Sequence, residues 1–298
     1  MQDAQVPPDC AGRLDGADAE SLAARAILSR LQDLSPLFGR DTDGDHIEPK
    51  SPLFLLDERF APSHSVGRIV RQSLAAVTDN ANALRRLMFV EDPGGLVYYR
   101  QNTHAPYSLV RTIIECATTV LWALLPEDGR ERSRRSLVLI AREVFNASSF
   151  WDAYLEEFRP GEHARTVEYF DGLRRAVNDA ALSMHLPPVF SRKANGNWGY
   201  ATKNRTQTAI LKDLRSDGDV PAELIFVWQF CSGYSHGLEW AASIGNSYPD
   251  PDPGREPGPE QLPAGSMGQL RRICDAAFDL VPRAWGAYDL SRRAWPLL

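Results

Sequence analysis

Apolar residues at helical spacing run through most of this 298-residue chain, and this periodicity is the strongest constraint on its fold. Segments such as 65–88 and 127–158 repeat an apolar residue every three or four positions, which places one apolar stripe along a helix. Strand-like character is confined to 189–202, where Asn195-Gly196 predicts a short hairpin. The pattern therefore predicts an all-α helical bundle with at most one short β-hairpin and long loops.

Turn-forming residues suggest how the chain is organised. Residues 1–20 are polar and punctuated by Pro and Gly, which predicts a disordered N-terminal tail. Residues 21–298 are expected to form a single α-helical domain. Within it we predict a core bundle at about 65–245, a Pro/Gly-rich loop at 246–265 and a C-terminal helix at 267–285.

Composition and charge argue against several classes of protein. A net charge of −6 disfavours general adhesion to nucleic acid or to an anionic membrane, although a local basic patch is compatible with it. The four cysteines show no close pairing, so a reducing cytoplasm is expected, without a zinc knuckle or a disulfide framework. The near-apolar stretch 109–125 contains Arg111 and Glu115, which favours a buried helix over a membrane span.

Residues 228–240, WQFCSGYSHGLEW, place polar side chains inside an otherwise apolar segment. Gln229, Ser232, His236 and Glu239 are separated by three, four and three residues, a spacing that stacks them along one edge of a helix. A buried polar side chain needs a hydrogen-bonding partner, because leaving it unpaired costs free energy. This polar line is therefore a candidate site.

A second polar line lies on the predicted helix at 107–125, where Arg111 and Glu115 can pair at i, i+4. If the two helices face each other, His236 is the candidate acid or base, Glu115 orients it and Arg111 holds an anion. These three are the predicted catalytic residues. Gln229, Ser232 and Glu239 are predicted to contact the ligand. The alternative is a buried network that only specifies how the helices pack.

Two other chemistries fit the 228–240 segment less well. Gly233-Tyr234-Ser235-His236-Gly237 matches the nucleophile elbow of serine hydrolases, but in that fold the catalytic histidine follows the serine motif, and none follows it here. His236 and Glu239 with Glu115 form a weak metal set, because H-x-x-E reverses the E-x-x-H order of di-iron bundles. We therefore predict no metal site and leave the cofactor open.

A separate segment interleaves cations with aromatic residues around Trp198 and Tyr200. This pattern suits stacking on a base or a substrate ring, so both aromatics are candidate ligand-binding residues. The alternative is a surface loop with an anchoring tryptophan.

Taken together, YSLVRTIIECATTVLWALLP, the arginine-led helix after it and WQFCSGYSHGLEW resemble uncharacterised all-helical bacterial proteins related to HEPN-type domains, over about 107–243. The resemblance implies a four-helix bundle, often dimeric, and in many members a metal-independent RNase. In such an RNase a histidine helps to activate the ribose 2′-hydroxyl and an arginine stabilises phosphate charge. His236 stands in the place of that histidine, whereas the arginine's place is taken by Gln229.

We therefore expect a cytoplasmic HEPN-like protein whose polar pocket binds a small-molecule or nucleotide-like ligand. Either Arg111 supplies the missing charge and RNA is cleaved, or the nuclease chemistry has been lost and the pocket serves another ligand. The alternatives are a small-molecule enzyme that uses His236 and Glu115 in acid–base or metal-assisted chemistry, and a non-catalytic binding or scaffold protein. RNA and a second copy of the chain are the macromolecular partners implied, and a membrane is not.

Overall fold

The computed structural model of the protein describes residues 7, 9–40, 45–59, 65–194, 196–201, 206–247 and 264–294. These residues form twelve helices and three small antiparallel sheets, which confirms the predicted all-α class. The helices are α1 (Ala19–Asp33), α2 (Ser35–Phe38), α3 (Pro52–Arg59), α4 (Val66–Met88), α5 (Ala105–Leu124), α6 (Gly129–Phe158), α7 (Pro160–Ser183), α8 (Gln207–Ser216), α9 (Leu224–Ser235), α10 (Glu239–Gly245), α11 (Met267–Phe278) and α12 (Leu280–Arg292). The strands are β1 (Gly12–Arg13), β2 (Phe89–Glu91), β3 (Val97–Tyr99), β4 (Phe190–Arg192), β5 (Trp198–Tyr200), β6 (Asn246–Ser247) and β7 (Ala264–Gly265).

Two compact units divide the chain, and each draws on segments that are far apart in the sequence. The first unit comprises Met1–Arg40, Ala75–Thr118 and Asp217–Arg283. The second comprises Asp41–Leu74, Thr119–Ser216 and Ala284–Leu298. The sequence indicates one domain at 21–298, and nothing in its local patterns announces this interleaved division.

The first unit is built around α1, the part of α5 up to Thr118, α9 and α11. Helix α11 packs against both α1 and α9. The Asp18 carboxylate accepts a hydrogen bond from the Ser21 backbone N–H and so caps the start of α1. Buried side chains of these helices include Ile27, Leu31, Ile113, Ile114, Cys231, Ile273 and Phe278.

The prediction of a disordered tail at 1–20 is wrong for much of the segment that the structure describes. In β1, Gly12 pairs with Tyr99 of β3, so this segment adds a strand to the sheet. The Arg25 guanidinium donates to two backbone carbonyl oxygens of the same segment, Leu14 and Gly16. Long-range pairing therefore orders a stretch whose local composition favours disorder; residues 1–6 and 8 lie outside the described part of the chain.

Strands β2 and β3 form an antiparallel hairpin around a turn at residues 92–96. Asp92 Oδ1 accepts hydrogen bonds from the backbone N–H groups of Gly94 at 2.8 Å and Leu96 at 2.9 Å. Gly95 has φ +81°, a conformation that favours glycine. The aspartate thus closes the turn with its own side chain.

In the second unit, α6 and α7 form an antiparallel helical hairpin. Helix α6 ends at Phe158, and Pro160 opens α7 at the position where a missing N–H costs no helical hydrogen bond. The helix predicted at 127–158 is confirmed as α6, within two residues at each end. The predicted hairpin at 189–202 is also confirmed, with Phe190–Arg192 paired to Trp198–Tyr200; Asn195 lies outside the described residues.

The C-terminal helix predicted at 267–285 is wrong in its extent. The structure has two helices here, α11 and α12, separated at Asp279 and reaching Arg292. Pro282 has no N–H to donate to the Phe278 carbonyl, which removes one bond that a single continuous helix would need.

Regular structure also occurs close to turn-forming residues. Helix α3 directly follows Ser51 and begins at Pro52. In the predicted loop at 246–265, Asn246 pairs with Gly265 and Ser247 with Ala264, while 248–263 lie outside the described residues.

Helix α5 is long and apolar enough, by length and composition alone, to cross a membrane. In this structure 61% of its most apolar 18-residue window is buried. Burial of that extent is typical of a core helix, the structure predicted for 109–125.

A cluster of charged side chains at the start of α6 is centred on Glu131. Its carboxylate accepts hydrogen bonds from Arg134 and Arg135 at 2.6 and 2.7 Å. These two guanidinium groups lower the pKa of Glu131 from its ordinary 4.5 to about 2. The Arg135 side chain is buried and lies 5.5 Å from the centre of the Trp122 ring.

Replacing Glu131 by Gln should lower the free energy of unfolding by about 1 kcal/mol near neutral pH, because the buried Arg135 loses its charged partner. A carboxylate whose pKa is lower in the folded state than in the unfolded state stabilises the fold at pH values above the unfolded-state pKa. This contribution is lost as the pH falls through the folded-state pKa. The difference between wild type and Glu131→Gln should therefore shrink as the pH falls from about 4.5 towards 2. Thermal unfolding of both proteins across this range measures it, and a pH-independent difference would contradict the assignment.

Candidate functional site

The polar line predicted along one helix is divided between two helices. Helix α9 ends at Ser235, His236 caps it, and Glu239 is the first residue of α10. The prediction of a single helical edge is therefore wrong at its C-terminal end. Gln229 and Ser232 remain on α9, whereas Glu239 lies beyond the break.

Gly237 causes the break. It has φ +64°, in the left-handed region that favours glycine. Its N–H donates to the Tyr234 carbonyl at 3.0 Å, and the Leu238 N–H donates to the Gly233 carbonyl at 2.9 Å. These two hydrogen bonds are those of a Schellman motif, which ends a helix at the residue before the glycine.

After the break, α10 folds back onto α9 across Gly233. A Cβ atom at this position would lie 2.7 Å from the Cβ of Ala241 and 2.7 Å from the ring of Trp240. Only glycine therefore permits this approach without displacement of a neighbour. The close packing keeps His236 at the end of the helix, outside the core.

Helix α5 and helix α9 meet at a hydrogen-bonded cluster. Arg111 Nε donates to Glu115 Oε1 at 2.9 Å, and the same oxygen accepts from Trp228 Nε1 at 2.8 Å. Arg111 Nη1 lies 3.5 Å from His236 Nε2. The structure thus brings together Arg111, Glu115 and His236, the three residues selected from the sequence as catalytic.

Aromatic stacking fixes the same pair of helices further along. The rings of Tyr107 on α5 and Tyr234 on α9 are parallel, with centroids 3.9 Å apart. His104, just before α5, meets the Tyr234 ring edge-on at 5.6 Å. Burial raises the pKa of Tyr107 and keeps its phenol neutral. With Trp228, these tyrosines position the site, and none of the three was predicted from the sequence as a site residue.

The cluster is open to solvent. The side chains of Arg111 and Glu115 are 25% and 30% exposed. Gln229, His236 and Glu239 are exposed, and Ser232 is half-buried. A network that served only to pack the helices would be buried together with its charges. This cluster is partly exposed, so Arg111 and His236 are within reach of an external anion.

Nucleophilic catalysis has little support around this cluster. Burial raises the pKa of the Cys231 thiol to about 12 and that of Cys116 to about 11, so both stay protonated near neutral pH. The Ser235 hydroxyl donates to the Cys231 carbonyl at 2.8 Å. Ser235 is the last residue of a helix, whereas the nucleophile of a serine hydrolase follows a strand. Acid–base and electrostatic chemistry therefore fit better.

Trp198 and Tyr200, the predicted stacking residues, lie in the second unit on β5. The guanidinium of Arg192 lies 4.4 Å from the centre of the Trp198 ring. The Tyr200 ring packs against Phe145 and Phe190, with centroids at 4.9 and 5.6 Å. Both rings thus already contact side chains of their own unit.

Trp198 also lines a cavity of about 570 Å³ enclosed by α6, α7 and the β4–β5 hairpin. Five of the six ionisable side chains that line it are paired with one another. Asp171 accepts from Arg174 at 2.9 Å and from Arg192 at 2.6 Å, and His163 lies 2.6 Å from Asp152. This pairing ties the hairpin to α7.

Among the described residues, no group of three or more His, Cys, Asp or Glu side chains is arranged to hold a metal ion. The chain matches no protein-family model, no curated protein and no solved structure. The functional interpretation therefore rests on the residues and their geometry.

Replacing Gly233 by Ala should lower the free energy of unfolding by roughly 1–3 kcal/mol, because the new methyl group overlaps Ala241 and Trp240. Trp240 fluorescence should shift as its ring is displaced. Gly161→Ala, at a helical glycine on α7 with nothing near its Cβ position, is the matched control. Equal stability of the two variants would show that α10 does not pack against α9 as described.

Proposed function

We propose that the first unit is a HEPN-like domain that cleaves RNA without a metal ion, with His236 as the base and Arg111 as the cation that stabilises the phosphate. The contact that supports this most directly is the 3.5 Å approach of Arg111 Nη1 to His236 Nε2 on partly exposed surface. The family pattern takes its arginine from the histidine's own helix. Here α5 supplies it, which compensates for the uncharged Gln229.

Glu115 is the positioning residue for this pair. Its carboxylate takes up the Arg111 Nε–H, so the Nη groups, one of which lies 3.5 Å from His236 Nε2, remain to bind phosphate oxygens. Trp228 holds the same carboxylate from α9. The Arg111 guanidinium is therefore oriented before a ligand arrives, which reduces the cost of ordering it on binding.

The reaction follows from these positions. Neutral His236 accepts the proton of a ribose 2′-hydroxyl, and the 2′-oxygen then attacks the adjacent phosphorus. The bond from phosphorus to the 5′-oxygen breaks, and that oxygen takes a proton from solvent. The products are a 2′,3′-cyclic phosphate and a 5′-hydroxyl end. Arg111 balances the charge that builds on the non-bridging oxygens.

An acid–base enzyme that pairs His236 directly with Glu115 has weaker support. Glu115 Oε1 already accepts from Arg111 and Trp228. The proposed site of action is the cytoplasm, in keeping with four cysteines that are all free thiols.

His236→Ala should reduce cleavage of a labelled single-stranded RNA roughly 100-fold or more, because removing a general base typically has that effect. Arg111→Ala should do the same, and Arg111→Lys should restore part of the rate, because lysine keeps the charge without the fork of donors. The assay contains EDTA and identifies the product ends. His163→Ala, in the second unit, is the matched histidine control and should cleave normally.

Three outcomes would contradict this proposal. Cleavage that persists in His236→Ala would come from another group or from a contaminant. Loss of cleavage in EDTA, together with stoichiometric iron, manganese or zinc in the purified protein, would favour metal-assisted chemistry. If wild type cleaves nothing but binds a 3′-nucleotide through Arg111, the domain is a ligand-binding descendant of a nuclease.

Glu115→Gln should keep the fold, since glutamine can still accept from Trp228, and should lower the cleavage rate roughly tenfold through a less ordered Arg111. The effect should appear in kcat more than in KM, because a misplaced guanidinium weakens stabilisation of the transition state. Steady-state kinetics with circular dichroism as the fold control measures this, and an unchanged kcat would remove Glu115 from the site.

A further inference from the structure

An unusual aromatic surface occupies the C-terminal half of α6 in the second unit. Phe150, Trp151, Tyr154 and Phe158 lie within nine residues, and we call these four the aromatic ladder. Phe150 and Phe158 are 61% and 68% exposed, and Trp151 is 43% exposed. Leu155, on the inner side of the same turns, is buried.

The ladder is one continuous surface. Phe150, Tyr154 and Phe158 are spaced four residues apart, so their side chains follow one face of the helix. Ring centroids are 6.0 Å apart for Phe150 and Tyr154, and 5.2 Å apart for Tyr154 and Phe158. The Trp151 ring stands edge-on to Phe150 at 5.4 Å and to Tyr154 at 5.8 Å.

Exposed aromatic rings at this density have no role in the core and mark a surface that another molecule covers. The cavity between α6, α7 and the hairpin is lined by Asp152 and Glu156, which lie on a different side of α6 from the ladder. The ladder is therefore a separate feature from that cavity.

The charges around the ladder indicate what covers it. Asp152 and Glu156 line the cavity, so the carboxylates that bear on the ladder are those on its own face of α6. Glu143 and Glu157, both exposed, lie seven residues before and after Phe150, so they flank the ladder on its own face of the helix.

This charge disfavours two occupants. An anionic membrane attracts amphipathic helices through Lys and Arg, whereas a surface flanked by the carboxylates of Glu143 and Glu157 would be repelled. A second copy of the chain, joined about a two-fold axis, would bring two such pairs of carboxylates together. A polypeptide with apolar and basic side chains complements both the rings and the carboxylates.

We propose that the aromatic ladder with Glu143 and Glu157 is a docking surface for a basic amphipathic helix of a partner protein. The apolar face of that helix covers the four rings, and its Lys or Arg side chains pair with the flanking carboxylates. In this mode of recognition an amphipathic helix lies against an apolar surface, and the charges at the edge of that surface provide specificity. It does not depend on the proposed RNA cleavage.

A labelled 18-residue helical peptide of Leu and Lys is the probe, and the same peptide with Glu in place of Lys is its control. Fluorescence anisotropy with the full chain should show binding of the Leu/Lys peptide. Phe150→Ala with Phe158→Ala should weaken it roughly tenfold or more. Glu143→Gln with Glu157→Gln should weaken it several-fold and reduce its dependence on salt. Leu182→Ala with Leu290→Ala, which removes two apolar side chains that are 58% and 69% exposed elsewhere in the unit, should leave it unchanged.

The proposal fails if the Leu182/Leu290 control weakens binding as much as the ladder variant does, or if the Leu/Glu peptide binds equally well. A wild-type dimer in sedimentation that the Phe150/Phe158 variant abolishes would identify the ladder as an interface between copies. Ladder-dependent binding to phosphatidylserine vesicles would identify a membrane instead. The variants should unfold at the wild-type temperature, because the replaced side chains are exposed.

Discussion

The carboxylate of Glu115 holds together the part of the first unit on which the candidate site depends. One oxygen accepts hydrogen bonds from Arg111 on its own helix and from Trp228 on α9. Hydrogen bonds to a charged group contribute about 1.5–3 kcal/mol each, more than most single contacts at a helix interface. The bond from Trp228 sets α9 against α5 in one register, and the bond from Arg111 orients the guanidinium on α5. That register determines how close His236 comes to Arg111.

The end of α9 is as important to the site as its middle. The Schellman motif at Gly237 stops the helix directly after His236, and α10 then turns back across Gly233. The histidine is exposed because the helix stops there. A histidine buried in mid-helix would meet a desolvation cost on charging and have no access to a ligand. At the helix end it avoids both restrictions while Arg111 stays within 3.5 Å.

In the second unit, α6 presents two chemically different surfaces. On one side, charged groups from α6, α7 and the hairpin pair with one another around a cavity, with Asp171 shared by Arg174 and Arg192. On the other side, rings are exposed beside carboxylates that attract cations. Ion pairs between partly exposed groups add little stability, so the first surface mainly orients the hairpin. The second has apolar area left to bury, and burial of apolar area drives association.

Local patterns in the sequence were sufficient to predict the helical class and most of the long helices, because helical periodicity depends on near neighbours. They also predicted that Arg111, Glu115 and His236 lie together, since i, i+4 pairing and helical spacing are local as well. Gly237 was a local stop signal too, but the apolar run around it favoured one long helix. Only the tertiary structure decided the strand at 12–13 and the bond from Trp228 to Glu115, which join residues 87 and 113 positions apart. Such contacts form only where packing of the whole chain lowers the free energy by more than the entropy cost of closing long loops. No local pattern records that balance.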